Sequence, residues 1–224
     1  MPNLDLGRPV GAAHPPYVIA AIDTGRLDTL ERALAAIDLA ADGHCDAIKL
    51  AVGVLPVAWC ATLSEHAGTR DVQIIASAAD ERTIERLDWL GAQAFEIFFD
   101  WSDLDLVVAA SRTGKPLVLS VANALDSEIA EVVALARREG AGGVALVQRV
   151  MGEHLSSLDT LRRHQTVVGI SDRSSSSWVV RSAIGRGARI VERRLAPRSN
   201  QAELQAVVRD CELAWASLGQ TRFA

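Results

Sequence analysis

The sequence predicts an α/β fold, a single-domain (β/α)8 TIM barrel, on three observations. First, eight short apolar runs rich in Val and Ile recur along the chain, continuous rather than alternating, as strands covered on both faces require. Second, most of them are separated by stretches of helical period with capping residues at their starts and glycine at their stops. Third, the first run is not followed by G-x-G-x-x-G. That absence and the count of eight favour the barrel over its main rival, a doubly wound open sheet, which uses the same local units.

The strands are read in order as YVIAAI from Tyr17, DAIKLA from Asp46, VQIIAS from Val72 and AFEIFF from Ala94. PLVLSV from Pro116, VALVQR from Val144, TVVGIS from Thr166 and RIVERR from Arg189 complete the set. The first helix places Leu30, Ala33, Leu34, Ile37 and Ala41 on one face, with Asp28 or Thr29 as N-cap and Gly43 at its stop. A later one starts at Asp80, carries Ile84, Leu87 and Leu90, and ends at Gly91. Another runs from Asp126 through Ile129, Val132, Val133 and Ala136 to Gly140, and the last from about Gln201 to Ser217. Residues 1–16 are read as an N-terminal tail and 17–224 as the barrel. The longest loop region, Val52 to Arg70, is the best place for a lid, unless Trp59 and Leu63 belong to the second helix.

Composition bounds the function. The 224 residues are 49% hydrophobic and 23% charged, an ordinary globular balance. A net charge of −5 lacks the basic excess of a nucleic-acid binder, so no nucleic-acid partner is expected. No apolar run reaches the ~18–20 residues of a membrane span, and the first residues carry no secretory signature, so the expectation is a cytoplasmic protein with no membrane partner. Three cysteines, Cys45, Cys60 and Cys211, form no C-x-x-C pair. The five histidines fall in the tail, at helix ends or in loops, without ligand spacing. No metal and no cofactor are therefore expected.

In such a barrel, chemistry collects where the strands end. Those ends carry Asp23, Lys49, Ser77 with Asp80, Asp100, Ser120 with Asn123, Gln148 with Arg149, SDRSSSS from Ser171, and Arg193 with Arg194. Loops after the seventh and eighth barrel strands often hold phosphate in this fold, and here they offer Arg173, Arg194 and a serine-rich approach to a helix. The alternative is that the serines only cap that helix and the arginines pair with Asp172 and Glu192. Lys49 sits in an apolar run, where an unpaired ammonium is costly. Burial would lower its pKa and suit it to Schiff-base or proton-transfer chemistry, or it pairs with Glu96, another charge inside a strand.

Three segments resemble the sialic acid synthase (N-acetylneuraminate synthase) family of barrels, over roughly Tyr17 to Leu195. YVIAAIDTGRLDTLERALAAIDLAADGHCDAIKLA is similar to the family's opening, A-E-I-G-x-N-H-x-G followed by a helix and A-x-x-V-K-x-Q. RTGKPLVLSVAN is similar to K-T-G-K-P-x-I-L-S-T-G-M. VVGISDRSSSSWVVRSAIGRGARIVERRL is similar to V-G-x-S-D-H-T and A-x-x-L-G-A-x-x-I-E-K-H-F at the right separation. The resemblance implies condensation of phosphoenolpyruvate with an N-acylated amino sugar, using a divalent metal such as manganese. Residue by residue, Lys49, Ser120 and Ser171 stand at family positions. The family's phosphoenolpyruvate-binding lysine is Glu96, its nearby serine is Phe99, and both metal-binding histidines are arginine, at Arg173 and Arg194. The antifreeze-like domain that follows the barrel in family members is not found.

The resulting expectation is a metal-independent lyase, aldolase or related carbon-skeleton enzyme of carbohydrate biosynthesis, acting on a small anionic carboxylate or phosphate. Lys49, Asp23 and Asp172 are its candidate catalytic residues. Arg173, Arg194, Ser120, Ser171, Glu96 and Trp101 are its candidate substrate-binding residues, with Phe99 and Trp101 placed at the barrel mouth. The alternatives are a non-catalytic barrel that binds a metabolite or protein partner and, third, a phosphoenolpyruvate-dependent N-acetylneuraminate synthase. Trp and apolar residues on outer helices suit a homodimer.

Overall fold

A computed structural model describes residues 3–22, 27–51, 55–89, 91–99, 104–122, 124–150, 154–174, 176–195 and 199–219. The barrel strands are β3 (Tyr17–Ala21), β4 (Ala47–Ala51), β5 (Gln73–Ser77), β6 (Ala94–Phe99), β7 (Leu117–Val121), β8 (Val144–Val150), β9 (Val167–Asp172) and β10 (Ile190–Arg194). All pair in parallel, and β10 closes on β3. The fold is the expected (β/α)8 barrel, each strand falling within one of the eight apolar runs or overrunning it by one residue.

Four helices stand where the sequence reading places them, α1 (Leu30–Asp42), α3 (Glu81–Trp89), α5 (Asp126–Arg138) and α8 (Gln201–Ser217), and α2 (Cys60–Thr69), α4 (Leu104–Arg112), α6 (Ser157–Leu161) and α7 (Ser177–Gly185) lie between them. The Thr29 hydroxyl accepts from the Arg32 amide at 3.3 Å and caps α1, and the Asp80 carboxylate accepts from the Thr83 amide at 2.7 Å at the start of α3. Ile129, Val132, Val133 and Ala136 are the buried stripe of α5. Leu63 is buried in α2, so that part of the long loop region is the second helix.

Two apolar layers result from strand alternation. Outward residues such as Ile48, Ile74, Ile97 and Leu119 pack under the helices. Inward residues, Tyr17, Ile19, Ala47, Ile75, Ala94, Val118, Ala145, Val147, Val167 and Ile190, fill the lower barrel. Below them sits an element that the sequence pattern did not reveal. Residues 1–16, read as a tail, include an antiparallel hairpin of β1 (Asn3–Asp5) and β2 (Pro9–Gly11). Its Leu4, Leu6 and Val10 join the interior cluster and close the N-terminal end. Burying each such side chain contributes about 1.5–3 kcal/mol. The Tyr17 hydroxyl donates to the Leu6 carbonyl at 2.7 Å, and an Arg8 guanidinium nitrogen donates to Asp46 at 2.8 Å, tying the plug to the barrel. With that end sealed, only the C-terminal mouth is left for chemistry inside the barrel.

Candidate functional site

Above the apolar plug, the inward positions turn polar. Lys49 lies two residues above Ala47, Glu96 two above Ala94, Glu192 two above Ile190, and Ser171 two above Gly169. The Lys49 Nζ is 2.7 Å from Glu96 Oε2 and 2.6 Å from Glu192 Oε1. The Ser171 hydroxyl donates to the same Glu192 oxygen at 2.7 Å. Gly169 makes room beneath: a Cβ there would stand 2.5 Å from the Ile190 carbonyl oxygen, so β9 can approach β10 this closely only with glycine.

The cluster holds one ammonium between two carboxylates inside the barrel. Burial alone would pull Lys49 down, yet Glu96 and Glu192 more than offset it, and the ammonium is held charged beyond its ordinary range. The expectation that burial lowers the Lys49 pKa is therefore corrected, because two carboxylates and not one face it. Burial, with the Glu192 charge added, pushes Glu96 up to about 7 against the pull of Lys49 and Arg149. A proton on Glu96 is thus exchangeable near neutral pH. The pairing of Lys49 with Glu96, one of the two sequence readings, is present.

The next inward layer forms the rim. Phe98 is 43% exposed, and the Arg149 guanidinium lies over its ring at 4.3 Å from the centroid. Arg149 Nε is buried without a hydrogen-bond partner. Phe99, expected at the mouth, is 3% exposed and packs in the helix-facing layer. Strand parity decides this: Phe98 shares its face with Glu96, and Phe99 does not. Ser120 is buried on the inward face of β7, in register with Phe98. Arg173 directly follows β9 and Arg194 ends β10, both exposed at the C-terminal rim of neighbouring strands.

Asp172 is not part of the Lys49 cluster. It points toward the helix layer, where its Oδ2 accepts from Arg193 Nη1 at 2.6 Å. Its Oδ1 accepts from the Ser174 amide at 2.8 Å and the Ser174 hydroxyl at 2.6 Å. Arg193 also donates to Glu203 on α8 at 3.0 Å. The partner of Asp172 is thus Arg193, and Ser174 caps the turn rather than the helix. Asp23 and Trp101 lie outside the described residues. Sequence reasoning noted Arg149 only as a strand-end charge and Glu192 only as the alternative partner of the arginines, and placed neither among the site residues. The signal for Glu192 was the one used for Lys49 and Glu96, a charge inside an apolar strand run.

The Cys45 and Cys211 thiols are buried and held protonated. Burial pushes Cys45 up to about 12 and raises Cys211 further, with nearby carboxylates adding to it. Arg173 and Arg194 cannot ligate a metal, because guanidinium cations have no lone pair to give. Among the described residues, no group of three or more His, Cys, Asp or Glu side chains is arranged to hold one. No described helix is long and apolar enough to cross a membrane.

The sequence profile of the NeuB family matches residues 40–221. The chain belongs to the NeuB family. It is 33% identical to the pseudaminic acid synthase of Helicobacter pylori over 42% of this chain and 28% of that protein. It is 24% identical to the spore coat polysaccharide biosynthesis protein SpsE of Bacillus subtilis over 82% of this chain and 60% of that one. The NeuB-family chain therefore spans less than two thirds of the length of these relatives. Its fold superposes on an N-acetylneuraminic acid (sialic acid) synthetase of Leptospira borgpetersenii, solved in complex with citrate, with a TM-score of 0.87. That match has 22% identity and covers 99% of this chain and 92% of that one. Carbohydrate biosynthesis is the common theme of these names, and the NeuB barrel is the shared scaffold.

Proposed function

We propose that this NeuB-family barrel is an enzyme that forms or breaks a bond in the carbon skeleton of a small anionic substrate, a sugar-derived acid or its precursor, without a resident metal. One observation carries the reading: the Lys49 ammonium bridges Glu96 and Glu192 at 2.7 and 2.6 Å within the barrel, with Glu96 poised near neutrality. A carboxyl tuned to about 7 is suited to take and return a proton at working pH. Lys49 keeps that proton within reach and offers a positive charge to an oxyanion developing in the substrate. Its charged state argues for this electrostatic part rather than a Schiff base, which needs the free amine.

Arg173 and Arg194 supply the anion clamp at the rim that the metal-binding histidines would otherwise occupy. Arg149, stacked on Phe98, stands at the same end of the barrel, and Ser120 and Ser171 are buried on the inward face, with Ser171 fixing the Glu192 carboxylate. Asp172 enters as a positioning residue: it anchors the start of the loop that carries Arg173. Asp23 is the candidate second base and Trp101 the candidate apolar contact. The names of the relatives, a pseudaminic acid synthase and a polysaccharide biosynthesis protein, support the choice of a sugar acid.

Calorimetric titration with pyruvate, phosphoenolpyruvate and N-acetylneuraminic acid tests the proposal. Binding of at least one is expected, weakened tenfold or more by Arg194→Ala and by Lys49→Met. A binding enthalpy that varies with buffer ionisation should lose that variation in Glu96→Gln. Binding unchanged in Lys49→Met and Arg194→Ala would overturn the site. Heat on adding manganese would restore the metal-dependent synthase.

A second reading, a non-catalytic barrel that binds such an anion, is favoured by the full internal pairing of Asp172 and of Glu192 Oε1. Its mark is a ligand that binds at the mouth and is recovered chemically unchanged.

A further inference from the structure

At the opposite end of the barrel from Lys49 lies a cavity of about 330 Å3, at the low end of the ~300–1,000 Å3 range of small-ligand sites. Three segments meet around it: the end of the plug hairpin at Gly11 and Ala12, the turn from α6 into β9, and the turn from α7 into β10. The charge lining it is one-sided. Arg162, Arg163 and Arg189 face it, and no carboxylate among the described residues lies within ion-pair distance of any of the three. Asp159, the one acidic side chain in the lining, is engaged at 2.5 Å with Arg186.

Two buried polar atoms here have no partner. Thr166 is 4% exposed, and its hydroxyl makes no hydrogen bond. The Arg189 Nε is also buried and unbonded, although its Nη1 is pinned by the carbonyls of Ala188 at 2.7 Å and Ile184 at 3.2 Å. Native structures rarely leave such groups unsatisfied, and an unpaired buried donor usually marks a missing partner. Gly187, with φ +98°, completes the wall: a Cβ there would come within 3.0–3.2 Å of the Arg162 guanidinium, so glycine lets that side chain lie across the turn.

We propose that this N-terminal pocket is a second binding site, for a small molecule bearing a phosphate or carboxylate group, held by Arg162, Arg163, Arg189 and the Thr166 hydroxyl. Guanidinium forks donate only and match the paired oxygens of either anion, while a cation or an apolar ligand would leave three positive charges uncompensated. Burial and the neighbouring Arg162 both act against the Arg189 charge, a tension that an anion between them relieves. The strand length separates this site from the mouth, so the two can be occupied at once.

The test uses inorganic phosphate and malonate as probes, by calorimetry and thermal unfolding at low ionic strength. Phosphate, malonate or both should bind saturably and raise the melting temperature, and the stronger of the two identifies the anion class. Thr166→Val, nearly isosteric, and Arg163→Ala, at an exposed position, should each weaken that binding about tenfold. Arg32→Ala, exposed on α1 and paired with Asp28, should leave it unchanged, and the binding that Thr166→Val and Arg163→Ala weaken should persist in Arg194→Ala, which alters only an anion held at the mouth. Arg189→Met also removes the two carbonyl contacts, so the first two variants carry the decision. Binding that survives Thr166→Val and Arg163→Ala, or that only Arg194→Ala removes, would overturn this site and leave the mouth proposal standing. So would the absence of binding by both probes.

Discussion

Two buried ionic clusters lie one register step apart on β9 and β10, and they are built on opposite plans. Ser171 pairs in register with Glu192 and faces into the barrel, whereas Asp172 pairs with Arg193 and faces the helices. The outer cluster opens toward solvent: Asp172 has donors on both oxygens, and Arg193 reaches a second carboxylate, the half-buried Glu203 on α8. The inner one also sets two carboxylates on a single cation, but both are buried, and Glu96 is pushed up to about 7. Satisfied pairs fix structure. Two carboxylates buried together on one ammonium keep a proton available, which is what a site needs and a scaffold avoids.

The largest effect expected from this contrast is at Arg193. Replacing it with Met leaves the fully buried Asp172 carboxylate without its cation, a loss of about 3–5 kcal/mol for a broken buried pair. For a chain of this size that lowers the melting temperature by roughly 10 °C. Circular dichroism melts should show it, with much of the loss recovered in the double variant Asp172→Leu/Arg193→Met. A cost below about 1 kcal/mol would mean that the outer cluster does not hold the barrel to its helices, and the contrast would collapse.

A smaller and pH-dependent effect separates the inner cluster. Folding moves Glu96 from its ordinary 4.5 to about 7, so the folded chain holds the extra proton between those values. The stability owed to this group is highest at the acid end, falls as pH rises through that window, and is level above about 7. The size is roughly 1–3 kcal/mol. Lys49 is shifted upward too, so its contribution is present below its ordinary 10.5 and is lost only in strong alkali, outside that window. Urea unfolding at half-unit pH steps should show the decline in the wild type and its removal in Glu96→Gln. Equal slopes in the two chains would show that Glu96 titrates like an exposed carboxyl.

The barrel was legible because strands covered on both faces must be continuously apolar, a local property that survives in any one sequence. The charges inside those runs were equally visible, and Lys49 and Glu96 were read from them. Glu192 was harder to connect, since it meets Lys49 across 143 residues and only closure of β10 on β3 brings the two together. The plug hairpin left no pattern, because strands of three residues are too short to show a period. The basic N-terminal pocket joins three turns, and no single segment displays it. The Phe98–Phe99 choice was available, however: counting in twos from Glu96 reaches Phe98.

That parity yields the smallest prediction. Phe98→Leu keeps an apolar side chain but removes the ring beneath Arg149, a contact worth about 0.5–1 kcal/mol at a partly exposed position. The melting temperature should fall by only about 1–3 °C. The informative readout is Glu96, because Arg149 helps hold its proton affinity down. A guanidinium freed from the ring lies less well over the mouth, so the Glu96 carboxyl resonance, followed by NMR, should titrate slightly higher than in the wild type. An unchanged midpoint would mean that Arg149 is positioned by its strand alone, and that the rim acts on the inner cluster without help from Phe98.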